Sequence, residues 1–136
     1  MRDPFVGTWK LNVEKSVFDP NHRPRAATMV VELDSEGYYT QTAEGINEKG
    51  EKCTERPMRF IPDGKEYPIP EFPGLKCVAV RPDPNSMTTE ARREDGSVVG
   101  GGTTVVSPDG KSKTVTNFGY DSQLRQFKQT TVWEQQ

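Results

Sequence analysis

Phe5-Val6-Gly7-Thr8-Trp9-Lys10-Leu11-Asn12 is the stretch from which the fold is read. It reads as a first β-strand, about Val6 to Asn12, with a glycine two residues ahead of a tryptophan. A large aromatic at such a position is normally a core residue, because burying its ring removes a large apolar area from water. Trp9 therefore marks the core face of this strand. The rest of the chain reads as a meander of short strands around it.

Downstream of Asn12, Val13-Glu14-Lys15-Ser16-Val17-Phe18 reads as a helical turn anchored by Phe18, and Asp19-Pro20-Asn21 ends it. Thr28 to Leu33 alternates with period two, placing Met29, Val31 and Leu33 on one face. A turn follows at Asp34-Ser35-Glu36-Gly37. An even loop there carries Tyr38, Thr40, Thr42 and Glu44 to the same inward face. Lys49-Gly50 is the next turn. The strand from Glu51 to Ile61 is open between two parities, one facing Met58 and Phe60 inward and the other Cys53 and Ile61. Pro57 makes it an edge strand or a bulged one.

Asp63-Gly64 is a hairpin signal. Tyr67 to Gly74, dense in proline, reads as an extended loop across one end. Short strands follow at Cys77 to Val80, Met87 to Glu94, Val98 to Val106, Lys113 to Phe118 and Gln126 to Glu134, with turns at Asp95-Gly96, Asp109-Gly110 and Asp121-Ser122-Gln123. Regular short strands, glycine turns and no long helical period predict an all-β barrel or sandwich. The 136 residues form a single domain, 1–136. No sequence repeat accompanies the turns, so a propeller is not expected.

Hydrophobic residues are 32% of the chain and mean hydropathy is −0.81, both low for a globular protein. The apolar residues nevertheless cluster in β-forming runs and include two Trp, four Tyr and six Phe, which argues for a folded core. A net charge of −2 argues against a general phosphate-binding surface, and no nucleic-acid partner is expected. No apolar run approaches the ~20 residues of a membrane span. With Met1 as the native start, the expected compartment is the cytoplasm. Oligomeric state is left open.

Cys53 and Cys77 cannot make a structural zinc site; they read as buried free thiols, favoured over the alternative of a disulfide by the cytoplasmic start. One hairpin-like excursion separates them, so they are candidates for adjacent strands. His22, the only histidine, lies in a loop beside prolines and reads as solvated. No Gly-x-Ser-x-Gly elbow exists, so no catalytic residue is assigned, no metal is placed and no cofactor is implied. Gly100-Gly101-Gly102 lies within a strand and reads as a bend or bulge. The charge run Glu90 to Asp95 reads as a solvated strand end. An inward Glu44 would need a partner.

The polar faces carry the functional signal. Thr40, Thr42, Thr89 and Thr104, with Asn117 and Gln129, fall on inward parities, beside Met87 and Phe127. A fully packed barrel would favour Val, Ile and Leu there. Hydroxyls and amides predict a cavity for water or a polar-tipped ligand. The alternative is that these threonines face outward as ordinary strand formers.

Gly7-Thr8-Trp9 resembles the Gly-x-Trp opening of the calycins, among them the lipocalins and fatty-acid-binding proteins. The longer run Gly7-Thr8-Trp9-Lys10-Leu11-Asn12-x-x-Lys15-Ser16-x-Phe18, with Val105 to Thr116 and Trp133-Glu134, resembles a group of small bacterial lipocalin-like proteins of uncertain function. The resemblance implies one antiparallel up-and-down β-barrel of about eight to ten strands. It implies that Trp9 plugs one end, with a last-strand cation, Arg125 or Lys128, over its ring. Fatty-acid-binding proteins hold a carboxylate with an Arg-x-Tyr pair on the final strand. Here Thr131 stands at the arginine position and Trp133 at the tyrosine.

A threonine hydroxyl gives a carboxylate one neutral bond where a guanidinium gives two charge-assisted ones. The expected partner is therefore a small, partly apolar, neutral molecule, met by Tyr38, Thr42, Gln129 and Thr131. Arg56 or Arg59 would supply a cation if its strand faced inward. Two other readings stay open: a barrel enzyme of isomerase or lyase type using an inward carboxylate, and a filled structural or partner-binding barrel.

Overall fold

A computed structural model of the chain describes residues 3–18, 23–54, 57–70, 72–120 and 126–136. The strands are β1 (Gly7–Val17), β2 (Ala26–Leu33), β3 (Tyr39–Ile46), β4 (Lys52–Thr54), β5 (Met58–Phe60), β6 (Asp63–Pro68), β7 (Leu75–Asp83), β8 (Ser86–Arg93), β9 (Val98–Val106), β10 (Ser112–Tyr120) and β11 (Gln126–Gln135). They form one antiparallel sheet in the order β4-β3-β2-β1-β11-β10-β9-β8-β7-β6, with β5 also on β3. The protein is all-β with up-and-down connections, as expected. The described strands number eleven because the stretch through Pro57 is split into β4 and β5, and because β6 is a strand in its own right. No helix among the described residues is long and apolar enough to cross a membrane.

The sheet curls until its distant strands share one core. Phe5, Trp9, Leu11, Met29, Val31, Tyr39, Phe60, Ala79, Met87, Val106 and Trp133 form a single buried cluster. Trp9 is at its centre with no exposed surface, and its Nε1 donates to the Phe5 carbonyl at 3.2 Å. Phe60 of β5 and Met87 of β8 belong to this cluster with Trp9 of β1, which a flat sheet would not allow.

Three local expectations are corrected. Val13–Phe18 is not a helical turn. β1 continues to Val17, and the β1–β11 register slips between Asn12 and Val17. Ser16 stitches this bulge, its Oγ donating to the Asn12 carbonyl at 2.7 Å and accepting the Val132 amide at 2.8 Å. Asp63-Gly64 is not a hairpin; Gly64, at φ +81°, sits in a register shift inside β6. The β2–β3 turn has an odd length. Leu33 pairs with Tyr39, leaving Asp34 to Tyr38 as a five-residue loop in which Asp34 Oδ1 accepts the amides of Glu36 and Tyr38, each at 2.9 Å. An odd loop reverses the face of every residue after it.

The glycine run lies in β9, next to an irregular register with β8 between Ala91 and Arg92. A β-carbon on Gly101 would stand 2.5 Å from the Thr89 carbonyl oxygen. Gly101→Ala is therefore expected to lower unfolding free energy by about 1–3 kcal/mol, the cost of forcing backbones apart. Chemical denaturation reads this as a lower midpoint at unchanged slope. An unchanged midpoint would show that β8 yields freely.

Candidate functional site

Two cavities occupy the interior, of about 410 Å³ and 390 Å³. They meet at Met29, Gln41, Val115 and Asn117, which line both. The first lobe is walled by Leu11, Phe18, Ala27, Gln129, Thr131 and Trp133. The second is walled by Phe5, Val31, Phe60, Met87, Thr89 and Lys113. Each falls in the size range of small-molecule sites, mostly apolar with a few polar groups.

β10 and β11 supply the polar floor. Alternation brings Lys113, Val115 and Asn117 of β10 to the inner face, and Phe127, Gln129, Thr131 and Trp133 of β11 beside them. Asn117 pairs with Gln129 across the ladder. Their side-chain oxygens, Asn117 Oδ1 and Gln129 Oε1, are buried and have no hydrogen-bond partner among the described residues. An orphaned buried acceptor costs about 1–3 kcal/mol, so both are poised to accept from something in the cavity. Thr131 is already committed: its Oγ1 accepts Trp133 Nε1 at 3.0 Å and donates to the Val115 carbonyl at 3.4 Å.

The sequence-predicted residues divide. Met87, Thr89, Thr104 and Asn117 line the second lobe; Asn117, Gln129 and Thr131 line the first. Phe127 shares their face, its ring against Gly119. Tyr38, Thr40 and Thr42 line neither lobe, because the five-residue turn places Tyr39, Gln41 and Ala43 inward instead. Tyr38 packs edge-on against Tyr67, with centroids 5.9 Å apart, and carries the Arg59 guanidinium 3.7 Å above its ring. Glu44 is exposed, at the rim of the first lobe. Leu33, expected inward, is 41% exposed where β2 runs past the core.

The expected cations are also rearranged. Arg59 bonds Asp34 at 2.9 Å outside the cavity. Lys128 is exposed. Arg125, Arg56 and His22 lie outside the described residues. Among the described residues, the cation over Trp9 is Lys113 of the penultimate strand, its Nζ 4.6 Å from the ring. Such a contact contributes about 0.5–2 kcal/mol. Lys113 is 3% exposed, and among the described residues its amine's hydrogen-bond partner is the Met29 sulfur at 3.0 Å. Burial pulls its amine down to about 7. A signal for this existed: an inward Asn117 places Lys113, four residues earlier on the same strand, inward too.

Sequence reasoning also missed a polar clasp beside the second lobe. Tyr39 Oη donates to Asp3 at 2.5 Å, and Arg81 donates to both Asp3 (3.0 Å) and Tyr39 (2.7 Å) while lying 4.9 Å from the Phe5 ring centroid. Burial alone would raise the Asp3 carboxyl. The bonds from Tyr39, the Phe5 amide and Arg81 overcome this and hold it below the usual carboxylate value. Burial and the Asp3 charge push the Tyr39 phenol up to about 12. Cys53 and Cys77 are free thiols, Cys77 buried and Cys53 exposed, and they do not lie on adjacent strands: β4 pairs with β3, and β7 with β6 and β8.

No family model matches the chain, and no curated protein matches it in sequence. Among solved structures, the wild-type fluorescent protein UnaG superposes with a TM-score of 0.65 at 13% identity over 100% of both chains. The zebrafish ileal bile acid-binding protein complexed with cholic acid gives 0.62 at 13% identity, covering 98% of this chain and 99% of that one. As-p18, an extracellular fatty acid binding protein, gives 0.54 at 12% identity, covering 98% and 97%. At these identities the likeness is one of fold, and it extends over nearly the whole length of each chain.

Proposed function

We propose that this protein binds a small, neutral, partly apolar molecule that offers a hydrogen-bond donor, such as a hydroxyl or an amide N–H, to Asn117 or Gln129. The observation that carries this reading is the pair of buried amide oxygens, unpartnered among the described residues, on the paired residues Asn117 and Gln129 of β10 and β11, in a mostly apolar cavity. The names of the structural neighbours, which include a bile-acid-binding and a fatty-acid-binding protein, support a barrel that carries small molecules. An acidic ligand is disfavoured because the cations near the cavity are poorly suited to it. Arg81 is engaged with Asp3, Arg59 with Asp34 outside, and Lys113 is held near neutrality by burial. Burying a carboxylate without a firm cationic partner is costly. The two lobes also count against a filled barrel.

The test is calorimetric titration of decanol against decanoic acid. Decanol is expected to bind at least as tightly. The hydroxyl donates one hydrogen bond, so the double variant Asn117→Leu/Gln129→Leu is expected to weaken it about tenfold, the loss of roughly that one bond. Tighter binding of the acid, abolished by Lys113→Met, would overturn the neutral-ligand reading.

A further inference from the structure

We infer that Lys113 is a covalent capture site, forming a reversible imine with a neutral aldehyde or ketone seated in the second lobe. This rests on the reading of the cavity as a neutral-ligand site and extends it to the carbonyl class.

Lys113 differs in setting from every other lysine. Of the nine lysines in the chain it is the buried one, and it lines a cavity. Among the described residues no carboxylate pairs with it. The side chains facing it from the surrounding strands are Trp9 of β1, Met29 of β2, and its cross-strand partners Val106 of β9 and Trp133 of β11. None of these carries a negative charge, so among the described residues the Trp9 face alone favours the protonated amine, and burial outweighs it. A lysine in water stays protonated well above neutral pH and is a poor nucleophile; a desolvated one is activated by losing its proton. The drop to about 7 provides a free lone pair under ordinary conditions. Among the described residues, approach to a carbonyl would displace a weak thioether hydrogen bond and loosen the contact with the Trp9 face.

The step balances without any co-reactant. The Nζ lone pair attacks the carbonyl carbon, and a proton passes from nitrogen to the carbonyl oxygen to give a carbinolamine. That hydroxyl leaves with a second proton as water, and the C=N bond forms. Hydrolysis runs the same path backwards. A protonated imine would keep a positive charge over the Trp9 face, where the ammonium now sits. Lys113 and Asn117 lie four residues apart on one face of β10, roughly 13–14 Å along the strand. An extended molecule with a carbonyl at one end and a donor group at the other would meet both.

The experiment uses wild-type protein incubated with decanal near pH 7.5, reduced with borohydride and mapped by peptide mass spectrometry. The expected result is one adduct on Lys113, heavier by the mass of decanal less one oxygen. It should form to about tenfold or more the extent seen at any other lysine. Excess decanol should suppress it, and Lys113→Arg should abolish it. If that variant does not fold, peptide mapping and decanol protection of the wild-type protein decide alone. Decanol binding by calorimetry with Lys113 unlabelled would overturn this inference and leave the proposed function standing. Failure of decanol to bind, with label spread over surface lysines, would overturn both.

Discussion

Trp9→Ala is expected to lower unfolding free energy by about 3–5 kcal/mol, as loss of a fully buried aromatic does elsewhere. The ring is completely enclosed, so its removal leaves a hole that neighbouring strands cannot close without breaking ladders. Three further losses fall together. The Phe5 carbonyl loses its donor from Nε1, the Lys113 amine loses the ring beneath it, and the segment carrying Phe5 loses its anchor. Trp133→Ala should cost less, because that ring already borders the first lobe and is not wholly packed. Denaturant midpoints for the two variants measure the difference. Equal and small losses would show that Trp9 is not the keystone of the core.

The second large effect is on pH dependence. The Lys113 amine titrates near 7 in the folded protein against an ordinary 10.5, through burial. Between these values the unfolded chain binds a proton that the folded one does not, so stability should rise with pH across this window. Below about 7 the folded protein carries the charge, and the cost of burying it is borne in full. Cys77 acts in the opposite sense: burial raises its thiol from 9.0 to about 11, so folded protein keeps a proton there and stability falls as pH climbs past 9. The Lys113 effect is therefore cleanest between about pH 7 and 9. Lys113→Met should flatten that rise and stabilise the protein at pH 7 by on the order of a few kcal/mol. Parallel stability profiles for wild type and Lys113→Met across this range would refute a charge-burial cost at this position.

Much of the fold was legible because strand alternation and glycine turns are local signals. Trp9, Met29 and Val31 could be assigned to the core from a few residues each. The failures share a cause: face assignment propagates through turns, and a turn's length is not fixed by its composition. Asp34 to Tyr38 contains the expected turn residues, yet Tyr38 joins the loop when its amide bonds to Asp34 Oδ1. That single residue moved Tyr38, Thr40 and Thr42 out of the cavity and moved Tyr39 and Gln41 in. The parity of β10 and β11 did not depend on that turn, which is why Asn117, Gln129 and Thr131 were placed beside the cavity. Lys113 is not expected inside on composition, because a charged residue is rarely buried. The Asp3–Tyr39–Arg81 clasp joins residues far apart in the chain, and no local pattern encodes it.

Among the described residues no ladder joins β6 to β4 or β5, so the wall is seamed, with Tyr38 and Tyr67 touching across the two sides. An unpaired strand edge is ordinarily a template on which another chain can grow. Here both margins are blunted. β4 and β5 are three residues each and separated at Pro57. β6 is flanked by Pro62 and Pro70, ends at Pro68, and exposes Lys65 and Glu66. Short, charged, proline-bounded edges offer few free amides in register, so the seam can stay open without seeding intermolecular sheet growth.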